Sequence, residues 1–457
     1  MPDASRGNSA VDAADIVGGT ELTGTVRTTG FKHSLVTCVA AACLGAAPVH
    51  IANIPDIAET EFLGRLLRGI GAGVSFEAYG MTIDPATMAT AELDPADVGA
   101  IHGSVYLAPA LLARFGSVQM PSSGGCQIGS EGGARPVNQY IDVLGRFGAK
   151  ARYTDCGFAA TATGLRAAEI DLLDYTEDPG RRTGPLYSGA TKFAILLAVA
   201  APGISVLHNP YPKLDVHDMV SLLTEMGARI EYSSDATLVV HGGIDRLHAP
   251  VTFALSADLI EVMTWLSAGL AYSDAGITIT GEGMRRALEG LAPELAALSA
   301  MGGSIAVTGD SVVVRKTERL RAHDIVIESH GVFSDSQPFF VLAACLADGI
   351  SRITETVWPA RCGYISELIR LGPRIQQSGQ TIFVEGGYPP RIPGQHLHAD
   401  DLRAAAALVL AALNVPGHTR VYGTHHLRRG YADLTGQLRS LGADVRAAPQ
   451  QWPAPPE

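Results

Sequence analysis

Six times along this chain a short helix-like stretch runs into a glycine and then turns into a β-type segment. The copies are Leu-Arg-Gly-Ile-Gly71-Ala, Leu-Gly-Arg-Phe-Gly148-Ala, Leu-Thr-Glu-Met-Gly227-Ala, Leu-Ser-Ala-Met-Gly302-Gly, Ile-Arg-Leu-Gly372-Pro and Leu-Arg-Ser-Leu-Gly442-Ala. Successive glycines lie 77, 79, 75, 70 and 70 residues apart, so one recurring unit fills the chain. A repeat of that size constrains the fold before any motif is weighed. Glycine suits the position physically: a helix ending in a left-handed cap has no room for a Cβ there.

Each unit holds a second helix-like stretch, more apolar than the first. These stretches begin near Lys32, His102, Thr191, Asp258, Asp335 and Asp401, open on polar residues and run into segments with little polar face. A helix apolar nearly all round is a buried helix. At about 10 to 14 residues these are too short to cross a bilayer, which takes roughly 20. Strands are clearest at Arg229-Ile-Glu-Tyr, Thr237-Leu-Val-Val, Ile277-Thr-Ile-Thr, Ser311-Val-Val-Val-Arg and Thr381-Ile-Phe-Val. Strands alternating with helices predict an α/β fold.

At 457 residues the chain exceeds one ordinary core, and six units divide evenly into two domains of three. A net charge of −12 offers no basic stripe, which argues against a nucleic-acid partner. It leaves room for a small anionic substrate held by a few local cations. Met1 to Asp15 lacks the apolar core of a signal peptide, and Pro449 to Glu457 reads as a disordered tail, so a cytoplasmic protein is expected. Six cysteines without a Cys-x-x-Cys pair suggest neither a disulfide framework nor zinc. Cys38, Cys43 and Cys345 fall in apolar helices and read as inert core thiols, while Cys156 and Cys362 stay undecided. Cys126 sits in a glycine-rich stretch, Pro-Ser-Ser-Gly-Gly-Cys-Gln-Ile-Gly-Ser-Glu-Gly-Gly-Ala-Arg-Pro, near Arg135. A thiol in that setting is either a reactive group of lowered pKa or an ordinary loop cysteine.

Gly-Gly-Cys126 followed by Ala-Arg135-Pro-Val resembles the active-site loop of the bacterial enolpyruvyltransferases that act on UDP-N-acetylglucosamine. The resemblance runs from Gly18-Gly-Thr to Gly442-Ala, through Thr29-Gly-Phe-Lys32, Ala113-Arg-Phe-Gly, Ser188-Gly-Ala-Thr191, Asp335-Ser-Gln337, Ile353-Thr-Glu-Thr, Asp401-Leu-Arg403 and His426-Leu-Arg-Arg429-Gly-Tyr431. It implies a two-domain inside-out α/β barrel of six βαβαββ units around a cleft. The first domain would span 32–247 and carry the Cys126 lid, the second 16–31 plus 248–448, with tails at 1–15 and 449–457.

The implied reaction adds an acceptor hydroxyl to C2 of phosphoenolpyruvate and then expels phosphate, with neither metal nor cofactor. By the resemblance Lys32, Arg135 and Arg429 hold the phosphate. Arg361 and Arg403 hold the carboxylate, where a guanidinium gives a two-point grip. Cys126 matches the cysteine linked to protonation and product release, and Asp335 the carboxylate near the acceptor hydroxyl. Asp335 also reads as a helix cap, since Ser334-Asp335-Ser336 precedes an apolar run, and Asp401 has the same two readings. Ser188, Gly189 and Thr191 would start a helix at a phosphate of a uridine nucleotide, with Arg135, Pro136 and Val137 beside the uracil.

The chain departs from the pattern on the acceptor side. His33 stands where the family has asparagine, His102 where many relatives have arginine, and Lys213 and Asp215 replace a Glu-Pro-Glu element. Four residues, Ser130-Glu-Gly-Gly, lengthen the lid. This pattern is similar to the UMP enolpyruvyltransferases of peptidyl-nucleoside antibiotic pathways, which use the ribose 3′-hydroxyl of UMP, and Lys213 would then face the phosphate monoester. The alternatives are the UDP-N-acetylglucosamine reaction and a non-catalytic nucleotide-binding paralog.

Overall fold

The computed structural model describes residues 13–124, 136–234, 236–243 and 247–448. All six repeat glycines have left-handed backbone, with φ of 89°, 89°, 112°, 88°, 106° and 104° in chain order. The caps foreseen from the repeat are therefore formed. The apolar runs are the helices Lys32–Ala42, Leu107–Phe115, Tyr187–Ala200, Leu259–Tyr272, Gln337–Leu346 and Leu402–Leu413. Every residue of Leu402–Leu413 is buried, and so is all of Tyr187–Ala200 except Ser188. Isolated helices of this length are marginal in water, so burial stabilises them more than propensity does. Each enclosed Leu or Val contributes roughly 1.5–3 kcal/mol relative to exposure.

Among the described residues the strands form six sheets. In five of them a strand of three or four residues runs parallel to its neighbour, which is followed by antiparallel strands. Ile325–Ile327, Ile350–Glu355, Thr381–Glu385 and Arg374–Ser378 illustrate the order. With the helices Gln337–Leu346 and Tyr364–Ile369 between them, they make one βαβαββ unit. Among the described residues the sheet Ser117–Pro121, Gly157–Thr161, Lys150–Thr154 is antiparallel throughout and has no short parallel strand. Outer strands such as Gly73–Glu77 and Ser304–Thr308 face solvent along most of their length. Helices are inside and sheets outside. No sheet closes on itself among the described residues.

Buried side chains form two large clusters. One takes in residues from Leu35 to Leu255, the other Ala14 to Phe31, Leu214 and Ala257 to Val445. The chain passes between them at two adjacent places. Gly24–Arg27 pairs with Ile277–Thr280, while the next helix, Lys32–Ala42, lies in the first cluster. Val251–Ala254 pairs with Val49–Ala52, while Leu259–Tyr272 lies in the second. The crossings are bridged to each other at Gly30 and Ala257. The Phe31 amide donates to the Ser256 carbonyl and the Asp258 amide to the Thr29 carbonyl, both at 2.8 Å. The Thr29 amide donates to Glu261 at 3.0 Å, and burial together with the Asp258 charge pushes that carboxyl up to about 8.

A Cβ on Gly30 would stand 1.8 Å from the Asn53 carbonyl oxygen. Asn53 cannot easily retreat, since its φ is 56° and its side chain donates to the Leu255 carbonyl at 2.9 Å. Gly30→Ala is therefore expected to destabilise the protein by at least about 1–3 kcal/mol, as forced overpacking does. Chemical denaturation of the two proteins checks this, and an unchanged midpoint would refute it.

The expected N-terminal tail is corrected at residues 13–15. They begin the strand Ala13–Gly18, which lies between Gly417–Tyr422 and Asp444–Ala448. Asp15 is held by Arg420, with Nη2 2.6 Å from Oδ2. Its partners lie some four hundred residues away, which no local pattern discloses.

Candidate active site

The cavity between the two clusters is lined by helix starts. Lys32 is the first residue of Lys32–Ala42, and Arg403 the second of Leu402–Leu413. Asp401 caps that helix, accepting from the Arg403 and Ala404 amides at 2.8 Å each. The capping reading of Asp401 holds, and Asp401 also lines the cavity. At the other helix start the Lys32 amide donates to Asp258 Oδ2 at 3.2 Å, so capping carboxylates meet the partial positive charge of both ends while the Lys32 and Arg403 side chains face the cavity.

Asp335 takes the other course. It sits in the turn Ser334–Ser336 before Gln337–Leu346, yet its side chain caps nothing. Its Oδ1 accepts from Arg403 Nε at 2.8 Å and lies 2.7 Å from Arg361 Nη1. Burial by itself would raise this carboxyl, but Arg361, then Arg403 and His33, hold it well below the usual range. Arg361 is fixed by its loop: Glu355 Oε1 accepts from the Val357 and Trp358 amides at 2.9 and 3.0 Å. The buried Arg361 Nε has no hydrogen-bond partner, so this guanidinium keeps capacity for a second carboxylate.

On another side of the cavity Lys32 Nζ lies 3.5 Å and Arg429 Nε 3.7 Å from the same oxygen of Glu59. Glu59 is buried and its second oxygen has no hydrogen-bond partner. It holds two cations together without saturating either, which suits a site for a multiply charged anion. Sequence reasoning missed Glu59 because an acid in the first turn of Ala58–Gly69 reads as an ordinary complement to the helix dipole.

The remaining wall includes His33, His102, Tyr106, Pro136, Ser188, Gly189, Lys192, Tyr211 and Asp215. His102 Nδ1 is 3.1 Å from Ser123 Oγ. Burial, then the neighbouring Lys32, push His33 down to about 3, so its imidazole is neutral near pH 7. Lys192, also missed, is buried and paired with Asp215. A lysine within the apolar run after Thr191 was the available signal, since such a residue is seldom buried without a partner.

Three expected wall residues point elsewhere. The helix begins at Tyr187, so Thr191 lies more than a turn inside, is fully buried and accepts from the Tyr211 amide at 3.1 Å. Val137 packs against the first cluster beside Asn138–Arg146. Lys213 does not line the cavity: it donates to the Gly331 carbonyl and lies over the Phe333 ring at 4.0 Å. Its burial lowers its pKa, and the reading in which it meets a phosphate loses its geometric basis. Cys126, Arg135 and the Ser130–Gly133 stretch lie outside the described residues. Of the other cysteines, burial pushes Cys43 and Cys345 up to about 12 and holds Cys38 well above the usual thiol range, as inert core thiols require. Cys362 is buried and pushed up to about 11, while Cys156 is exposed.

The family model for EPSP synthase (3-phosphoshikimate 1-carboxyvinyltransferase) matches residues 16–438. The chain is an enolpyruvyl transferase of the EPSP synthase family. This transferase is 34% identical over 446 residues to UDP-N-acetylglucosamine 1-carboxyvinyltransferase of Caulobacter vibrioides, covering 95% of the chain and 98% of that protein. It is 31% identical over 436 residues to UDP-N-acetylglucosamine 1-carboxyvinyltransferase 2 of Geobacillus kaustophilus, covering 95% and 96%. The crystal structure of the enolpyruvyl transferase NikO from Streptomyces tendae matches with a TM-score of 0.90 and 45% identity, covering 95% of this transferase and 98% of NikO. EPSP synthase from Acinetobacter baumannii, 15% identical with a TM-score of 0.71, shares the fold. No described helix is long and apolar enough to cross a membrane.

Proposed function

We propose that this transferase moves the enolpyruvyl group of phosphoenolpyruvate to a hydroxyl of a uridine nucleotide, with the 3′-hydroxyl of UMP favoured and nucleoside antibiotic biosynthesis as the setting. The observation that carries the choice of acceptor is the 45% identity to NikO, against 31–34% for the UDP-N-acetylglucosamine enzymes above. The rewritten acceptor wall supports it: His33 replaces the family asparagine, and Lys192 and Asp215 form a buried pair beside it. Transfer to UDP-N-acetylglucosamine is the second reading, favoured by relatives that match along 95% of the chain.

In this reading Lys32 and Arg429, joined by Arg135 on the lid, take the phosphate of phosphoenolpyruvate. Arg361 and Arg403 take its carboxylate. The acceptor oxygen bonds to C2, C3 gains a proton in a step assigned to Cys126, and the acceptor proton passes to Asp335. Loss of a C3 proton with cleavage of the bond from C2 to the phosphate oxygen then forms the enol ether and releases inorganic phosphate. Asp335 begins as a weak base because the two arginines stabilise its charged form. The incoming carboxylate draws on the same guanidinium groups, so binding the first substrate makes Asp335 more basic towards the second.

Phosphate release from phosphoenolpyruvate, measured with UMP, UDP, uridine and UDP-N-acetylglucosamine, tests the acceptor. UMP is expected to be used best. Uridine should be poor, because the missing phosphate leaves helix N–H groups unpaired. Efficient turnover of UDP-N-acetylglucosamine with UMP inert would transfer the protein to the second reading.

A further inference from the structure

Resting on the UMP reading, we propose that Asp215 is the acceptor-specificity residue, its carboxylate accepting a hydrogen bond from the ribose 2′-hydroxyl while the neighbouring 3′-hydroxyl reacts. Asp215 is the second residue of Leu214–Glu225 and lines the cavity with about 2% of its surface exposed. Its Oδ2 pairs with Lys192, whereas its Oδ1 has no hydrogen-bond partner. The backbone is held as well, since Thr37 Oγ1 donates to the Asp215 carbonyl at 3.1 Å. An ionised carboxylate with an unused oxygen in a cavity wall calls for a donor from the ligand.

Charge decides what kind of donor. Lys192 lies 5.4 and 5.9 Å from the ring centres of Tyr106 and Tyr211, and its charge is balanced by Asp215. With the His33 imidazole neutral, this wall carries no net positive charge to receive a phosphate. It has an excess of acceptors and fits a hydroxyl. Position narrows the hydroxyl further. Asp335, the proposed base, and Asp215, the proposed reader, line the same cavity as His33. With the 3′-hydroxyl of UMP at the base, the ribose has one hydroxyl left, the adjacent 2′ of the cis-diol, to meet a second acceptor in that cavity.

The test compares kcat/KM for UMP with that for 2′-deoxyuridine monophosphate, which keeps the reacting hydroxyl and loses only the one assigned to Asp215. The wild-type protein should prefer UMP by about tenfold to a hundredfold, the range for a charge-assisted hydrogen bond to substrate. In Asp215→Asn the preference should fall severalfold or more, with KM for phosphoenolpyruvate unchanged. Because that variant leaves the Lys192 ammonium without its counter-charge, Lys192→Met combined with Asp215→Asn serves as the second variant. A wild-type protein that uses both nucleotides equally overturns the proposal without any variant. So does a preference that survives intact in both variants. If UMP is inert in the wild-type protein, the acceptor reading fails first and takes this inference with it, which the wild-type measurement alone reveals.

Discussion

Asp335→Asn is expected to lower kcat by about 10²- to 10⁴-fold, the range contributed by a positioned general base. The substitution keeps an oxygen that can accept from Arg403 Nε, now at 2.8 Å, so the local geometry should largely persist. Nucleotide affinity, measured by calorimetry, should change far less than turnover. The wild-type pH profile carries the same expectation with a definite sign. A base loses activity as pH falls through its pKa, and Arg361 and Arg403 hold this one well below the ordinary carboxylate range. In kcat/KM, which reports the free enzyme, the acid limb assigned to Asp335 should therefore lie at unusually low pH. In kcat it should move to higher pH, because bound phosphoenolpyruvate competes for the two guanidinium groups. Coincident limbs, or near-normal turnover in the asparagine variant, would remove Asp335 from the role of base.

Arg403→Lys should lower kcat/KM for phosphoenolpyruvate by about tenfold to a hundredfold although the charge is retained. A hydrogen bond to a charged group contributes roughly 1.5–3 kcal/mol, and an ammonium cannot reproduce the parallel pair that a guanidinium makes with a carboxylate. The structure adds a second reason. Arg403 Nε is engaged by Asp335, and its Nη1 lies 3.5 Å from the Tyr431 hydroxyl, which is itself 2.8 Å from Thr264 Oγ1. The planar group thus spans two fixed partners that a lysine would reach one at a time. The deficit should appear in phosphoenolpyruvate kinetics more than in nucleotide binding. Wild-type kinetics in the lysine variant would take Arg403 out of the carboxylate site.

The tail of the chain's first fifteen residues and the side chain of Lys213 show where local reading stops. Ala13–Gly18 is a strand only because Gly417–Tyr422 and Asp444–Ala448 flank it, and nothing within residues 1–20 encodes that pairing. Lys213 sits at a helix start, as Lys32 does, yet it turns to the Gly331 carbonyl. Side-chain direction at a helix start depends on what the neighbouring unit offers, not on the spacing of residues. Lys192 and Glu59 were obscured for the same reason: their counter-charges come from other elements.

What the chain determined by itself was the repeat, the six glycine caps and the buried helices. These follow from short-range physics, where a cap needs glycine and an apolar run needs shelter from water. The family resemblance placed Lys32, Asp335, Arg361, Arg403 and Arg429 at one site, and they do line one cavity. Only the tertiary structure decided how those charges are shared. It put Asp335 between two arginines, Glu59 between a lysine and an arginine, and Lys192 against Asp215. Electrostatic pairing acts through space over a few ångströms, between residues that the sequence sets far apart, so it exists only once the units have packed.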